Sequence, residues 1–204
     1  MKNFFNSENF LWQWFGRVGD FFILSCLWTI CCMPVVTIGA ASVALYDTVA
    51  HCVRGKEQAM FRRFFRTFRA ELVRSIALTL VWAAAALALN IVYQFLNQLT
   101  AGTNLQILGI AFFVLLLLPV GTACWVVAIE SRFTHSFGQL HRNALAFTIG
   151  YLPQTVAIAA IFVVGLNVLQ AVPFLVMFLP GLMVSIQSHF IEPVFAKYQP
   201  QAEG

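Results

Sequence analysis

Three long stretches of this chain carry no Asp, Glu, Lys or Arg: residues 21–46, 75–129 and 143–191. One bilayer crossing takes about 20 predominantly apolar residues. The first run therefore holds one span and each of the others holds a pair. Polar turns divide the pairs. Asn97-Gln98-Leu99-Thr100-Ala101-Gly102-Thr103-Asn104 splits the second run, and Gly165 to Pro173, with Asn167 and Gln170, splits the third. The pattern predicts an all-α, polytopic integral membrane protein of about five transmembrane helices. They form a single membrane domain over 1–204, with spans near 21–46, 75–97, 105–129, 148–168 and 172–191. Composition agrees, since 60% of residues are hydrophobic and 10% charged, where a soluble domain has about 25% charged.

The start of the chain makes a poor secretory leader. Lys2 and Arg17 are offset by Glu8 and Asp20, and the apolar run that follows exceeds an ordinary signal core. The first run is therefore expected to stay in the membrane. Orientation follows from the cations. The connection 47–74 holds Arg54, Lys56, Arg62, Arg63, Arg66, Arg69 and Arg74. Arg132, Arg142 and Lys197 fall on the same side when five spans are drawn, so ten cations face two, Lys2 and Arg17. Positive-inside bias then predicts that the basic loops and the C-terminus are cytoplasmic. Pro34 leaves two paths for the first run. A hairpin turning at Pro34 would put all twelve cations inside but would draw Arg17 and Asp20 into the bilayer. That costs several kcal/mol unless they pair. The cost favours a single Pro-kinked span, with residues 1–20 as an interfacial arm whose Phe and Trp rings sit at headgroup depth.

Within 47–74, Phe61, Phe64, Phe65, Phe68 and Leu72 follow steps of three and four, while Arg62, Arg66 and Arg69 occupy the other side. That contrast predicts an amphipathic helix in the headgroup plane, either an anchor on anionic lipid or a docking surface for an acidic partner. The candidate contact residues are Arg62, Arg63, Arg66, Arg69, Phe61, Phe65 and Phe68. A second segment, Ser136 to Phe147, has similar spacing. Pro34-Val35-Val36-Thr37 and Pro119-Val120-Gly121-Thr122 share Pro-Val-x-Thr, a faint echo of an internal repeat. Nucleic-acid binding is not expected, because the net charge of +4 is already explained by the topology.

No phosphate loop, zinc pair or nucleophile elbow occurs. Cys26, Cys31, Cys32, Cys52 and Cys124 form no Cys-x-x-Cys and read as small, reduced packing residues. His51, His135, His141 and His189 are scattered near membrane boundaries. No cofactor and no catalytic residue is expected. Pro34, Pro119, Pro153, Pro173 and Pro180 fall in or at the ends of spans. Each frees a carbonyl that neighbours such as Thr37 or Thr122 are placed to bond. Gly39, Gly121 and Gly181 permit close helix approach. Pro34, Thr37, Gly39, Pro119 and Thr122 are the candidate kink or polar-path positions.

Three motifs together carry a family resemblance. They are Gly16-Arg17-Val18-Gly19-Asp20 before a span, Pro34-Val35-Val36-Thr37-Ile38-Gly39-Ala40 with Ala44-Leu45-Tyr46, and Phe61-Arg62-Arg63-Phe64-Phe65-Arg66-Thr67-Phe68-Arg69. Over roughly the first 75 residues the chain resembles the YesL-like family of bacterial membrane proteins. Many members are encoded beside carbohydrate ABC transporters and sugar-responsive two-component regulators. The resemblance implies a non-catalytic accessory or regulatory role near sugar uptake in Gram-positive bacteria and names no catalytic residue. The expected partners are anionic lipid, a sugar ABC transporter or sensor protein, and a second copy of the chain. The alternatives are a small transporter or channel subunit and, with least support, an intramembrane enzyme.

Overall fold

The computed structural model describes residues 10–54, 59–100, 106–133 and 136–198. Among them there is no strand, and seven α-helices follow one another. They are α1 (Phe10–Cys31), α2 (Ile38–Thr48), α3 (Met60–Thr100), α4 (Gln106–Arg132), α5 (Phe137–Gly150), α6 (Leu152–Ala171) and α7 (Leu179–Phe195). A 3-10 turn, Val35–Thr37, precedes α2, a wider π-helical turn, Val49–Arg54, continues it, and a second 3-10 turn, Pro173–Met177, precedes α7. Val35–Cys52, Met60–Val92 and Leu152–Ala171 are long and apolar enough to cross a membrane. The chain is a polytopic all-α membrane protein.

The first uncharged run departs from the single kinked span. Pro34 takes an extended conformation (φ −77°, ψ 116°) and separates α1 from α2. The two helices then pack antiparallel. Trp28 Nε1 donates to Ser42 Oγ at 3.3 Å, and Leu24, a turn earlier, clusters with Ala44, Leu45 and Val49. Pro34 both removes a donor and disfavours helix in the residue before it. Thr37 Oγ1 lies within donating distance of the Cys31 and Pro34 carbonyls, at 2.5 and 2.6 Å, so the helix end is capped by the turn itself. Phe10–Asp20, expected as a separate interfacial arm, is continuous with the rest of α1.

The basic stretch also differs from expectation. It forms no separate in-plane helix but is the first four turns of α3, which runs unbroken for 41 residues, about 60 Å at 1.5 Å per residue. Arg69-Ala70-Glu71-Leu72-Val73-Arg74-Ser75 contains neither Gly nor Pro, so a helix nucleated at Met60 has no reason to stop before the membrane. Elsewhere prolines sit where helices tolerate them, in the first turns of α6 (Pro153) and α7 (Pro180) and opening the second 3-10 turn (Pro173). Pro119 lies inside α4.

The short helix α2 is the centre of the bundle, in contact with α1, α3, α4 and α7. It lies very close to α3 at Gly39. A Cβ there would stand 2.9 Å from the Ser75 carbonyl oxygen, and the Gly39 amide donates to Thr79 Oγ1 at 3.0 Å. Gly121 plays the same part between α4 and α6, where a Cβ would strike the Thr155 methyl group. Around these contacts the core is aromatic. Trp125, fully buried, stacks on Phe147 at 5.3 Å and meets Phe195 edge-on at 5.9 Å.

Candidate functional site: a buried ionic network at the basic end

The end of α2, the start of α3 and the ends of α4 and α7 meet in one charged cluster. Asp47, buried in the last turn of α2, receives a two-pronged bond from Arg63: Nε to Oδ2 at 2.9 Å and Nη2 to Oδ1 at 3.0 Å. Thr67 Oγ1 adds a bond to Oδ2 at 2.8 Å. Arg63 and Thr67 are four residues apart on α3 and so share the face turned to α2. A forked guanidinium–carboxylate pair is among the stronger bonds a protein makes, and here burial shields it from screening.

His51, one turn after Asp47, carries the network onward. Its Nδ1 lies 3.0 Å from the Asp47 carbonyl oxygen and 3.1 Å from Oδ1, while Nε2 faces Arg132 Nη1 at 3.3 Å. Arginine offers only donors. Nε2 must therefore accept, which leaves the ring proton on Nδ1, pointed at Asp47. Arg132 Nη2 in turn bonds Glu192 Oε2 at 2.7 Å, and Tyr46 Oη donates to Glu192 Oε1 at 3.2 Å. Asp47 and Glu192 thus balance Arg63 and Arg132, with the His51 ring between the two pairs. A second pair lies nearby between α3 and α4. Glu130, its side chain wholly buried, stands 3.6 Å from Arg74 Nε, and neither of its oxygens has a hydrogen-bond partner.

The candidate contact residues divide between two faces of α3. Arg63 turns inward to Asp47. Phe68 is half-buried and stacks, at 6.3 Å, on the fully buried Phe64. Arg62, Arg66 and Arg69 are exposed, as are Phe61 and Phe65. The five aromatic and aliphatic positions that share a helical spacing therefore do not share an environment. The kink positions act locally and in separate places: Pro34 and Thr37 make the α1–α2 turn, and Gly39 seats α2 on α3. Thr122 bonds the Leu118 carbonyl at 2.8 Å and Thr148 Oγ1 at 3.0 Å, and so links α4 to α5. The carbonyl that Pro119 frees is four residues back, at Leu115, so Thr122 does not cap it.

Sequence reasoning placed none of Tyr46, Asp47, His51, Thr67, Glu130, Arg132 and Glu192 in a site, yet a signal was present. Each of the three uncharged runs ends at a carboxylate: Asp47, Glu130 and Glu192. An acidic residue immediately after a span, on the side rich in Arg, is placed to meet a cation in a partly desolvated layer. His141 stacks on Trp82 at 6.1 Å and lies tilted against Phe137 at 4.6 Å, and His189 bonds the Ser185 carbonyl at 2.9 Å. His135 lies outside the described residues. The five cysteines are free thiols.

Residues 21–93 match the family of unknown function DUF624. The match spans the second half of α1, all of α2 and α3 as far as Tyr93. It contains Asp47, His51, Arg63 and Thr67 but neither Arg132 nor Glu192. No curated protein and no solved structure matches the chain.

Proposed function

We propose that the protein is a non-catalytic accessory or regulatory component of the bacterial plasma membrane, presenting the first turns of α3 to an acidic cytoplasmic partner. One observation carries this reading. The inward face of those turns is consumed by Asp47 and the Phe64–Phe68 stack, while the outward face displays Arg62, Arg66 and Arg69 beside Phe61 and Phe65. Arginines interleaved with exposed rings, on a helix fixed by buried bonds, form a preorganised docking surface. In the network behind them Asp47 pairs with Arg63 and Glu192 with Arg132, as in a clamp rather than a reaction centre.

The cytoplasmic assignment rests on charge. Ten of the twelve Lys and Arg lie in the sequence segments 47–74, 130–147 and 192–204, and positive-inside bias assigns segments of that kind to the cytoplasm. The link to carbohydrate uptake rests on the resemblance to the YesL-like family, whose neighbours name a sugar ABC transporter or sensor as the partner.

Replacing Arg62, Arg66 and Arg69 together by Lys tests the docking surface. A lipid potential counts charge alone, whereas a carboxylate partner reads the guanidinium fork. The variant is expected to reach the membrane at wild-type yield and to lose co-purification of its partner. Wild-type recovery of the partner would reduce these residues to a lipid anchor.

A further inference from the structure

A cleft of about 400 Å³ opens where the end of α4, α5, the α5–α6 junction and the tail after α7 come together. Its walls include Phe133, Phe147, Tyr151 and Tyr198, with Asn143 and the open floor at Gly150. We propose that this cleft holds one anionic phospholipid, its glycerol and upper acyl carbons against the rings and its phosphate at Lys197.

Three observations point to that ligand. The cleft lies at the level where the uncharged runs give way to charge. Ile129, the last residue of one run, and Phe147, early in the next, both line it. That is the depth of glycerol and phosphate, where amphipathic rings concentrate in membrane proteins. The lining is also chemically two-sided. Ring faces supply apolar area, while the Asn143 amide and the paired Tyr151 and Tyr198 hydroxyls, 3.3 Å apart, supply polar tips. Charge then selects the headgroup. Lys197 Nζ sits over the Tyr151 ring, 5.7 Å from its centroid, and the lining contains no acidic residue. The nearest acidic residue along α7, Glu192, is already engaged by Arg132 and Tyr46. A cleft of this size is within the usual range of ligand sites, about 300–1,000 Å³.

The site is distinct from the arginine face of α3, and the experiment separates them. Full-length protein in neutral detergent is titrated with phosphatidylglycerol, with phosphatidylcholine and with inorganic phosphate. Bound lipid is counted by native mass spectrometry and thermal stabilisation is followed in parallel. One phosphatidylglycerol per chain is expected to bind tightly, with weaker phosphatidylcholine binding and no stabilisation by phosphate. Ala146→Trp, which fills the cleft from α5, abolishes that binding. Lys197→Gln, on the exposed tail and harmless to folding, weakens it by about five-fold, the factor for one cation near an anionic headgroup. The triple Arg→Lys variant of α3 leaves it unchanged. Tight binding retained in both Ala146→Trp and Lys197→Gln would overturn the assignment. So would equal binding of the two lipids, or stabilisation by phosphate alone. Should Ala146→Trp fail to fold, Lys197→Gln and the lipid comparison decide the matter.

Discussion

The helix α2 and the far half of α3 are both rich in alanine and both apolar, yet they occupy opposite situations. Of the segment Val35–Cys52, 61% is buried within the chain, against 11% of the most apolar window of Met60–Val92. In α2 every residue from Val43 to Thr48 is buried, as are Ala40 and Ala41. In α3 beyond Trp82, Ala83, Ala84, Ala86, Leu87, Ala88, Asn90 and Ile91 are all exposed. Small residues therefore do not by themselves seat a helix. Lipid tails solvate Leu and Ala as well as another helix does, so apolar area gives no net drive to associate. Polar partners make the difference. Along its length α2 engages Thr79 through the Gly39 amide, Trp28 through Ser42, Glu192 through Tyr46 and Arg63 through Asp47. In the far half of α3, Asn90 and Gln94 bond each other at 2.8 Å rather than another helix.

The strongest test of this contrast removes the main polar anchor. Asp47→Ala leaves Arg63, Thr67 and His51 facing a buried gap and is expected to destabilise the folded bundle by about 3–5 kcal/mol, the usual result of breaking a buried pair on one side. Thermal unfolding in detergent measures it, and an unchanged midpoint would show that polar anchoring is not what holds α2. A smaller loss is expected from Gly39→Leu, which must push α2 away from the Ser75 carbonyl and Thr79. Overpacking of this kind costs about 1–3 kcal/mol. Placing the same side chain on the bare helix, as Ala84→Leu, should change stability by less than about 0.5 kcal/mol. If Ala84→Leu proved as harmful as Gly39→Leu, the exposed half of α3 would have to be packed against something.

The same physics explains what could be read in advance. Uncharged runs announced the membrane, but the turn expected at 165–173 lies largely inside α6, which runs to Ala171 before the 3-10 turn Pro173–Met177. The one expected at 97–104 begins inside α3, which runs to Thr100. Hydropathy says how long a segment stays in lipid and nothing about which face meets protein. That is why Pro34 could be taken for a kink when it divides two helices, and why Phe64 and Phe65, adjacent in sequence, have opposite surroundings. The exposed positions of Arg62, Arg66 and Arg69 follow from period alone. Arg63 does not, because its partner lies on another helix. The network was invisible for the same reason. Its members come from four separated segments, and only the habit of each run to end at a carboxylate hinted at it.

The sequence separations within that network also set an order of events during synthesis. Asp47 meets Arg63 only sixteen residues later, so the α2–α3 pair can close while the ribosome is still making α4. Arg132 must wait sixty residues for Glu192, and Tyr46 waits 146. Until α7 emerges, a guanidinium at the end of α4 has no carboxylate of its own, and α2 stays uncovered on one side. Of the seven helices described, α7 is thus the one that closes the bundle. A chain truncated before Glu192 would leave Arg132 with the His51 ring as its neighbour and no carboxylate to balance its charge.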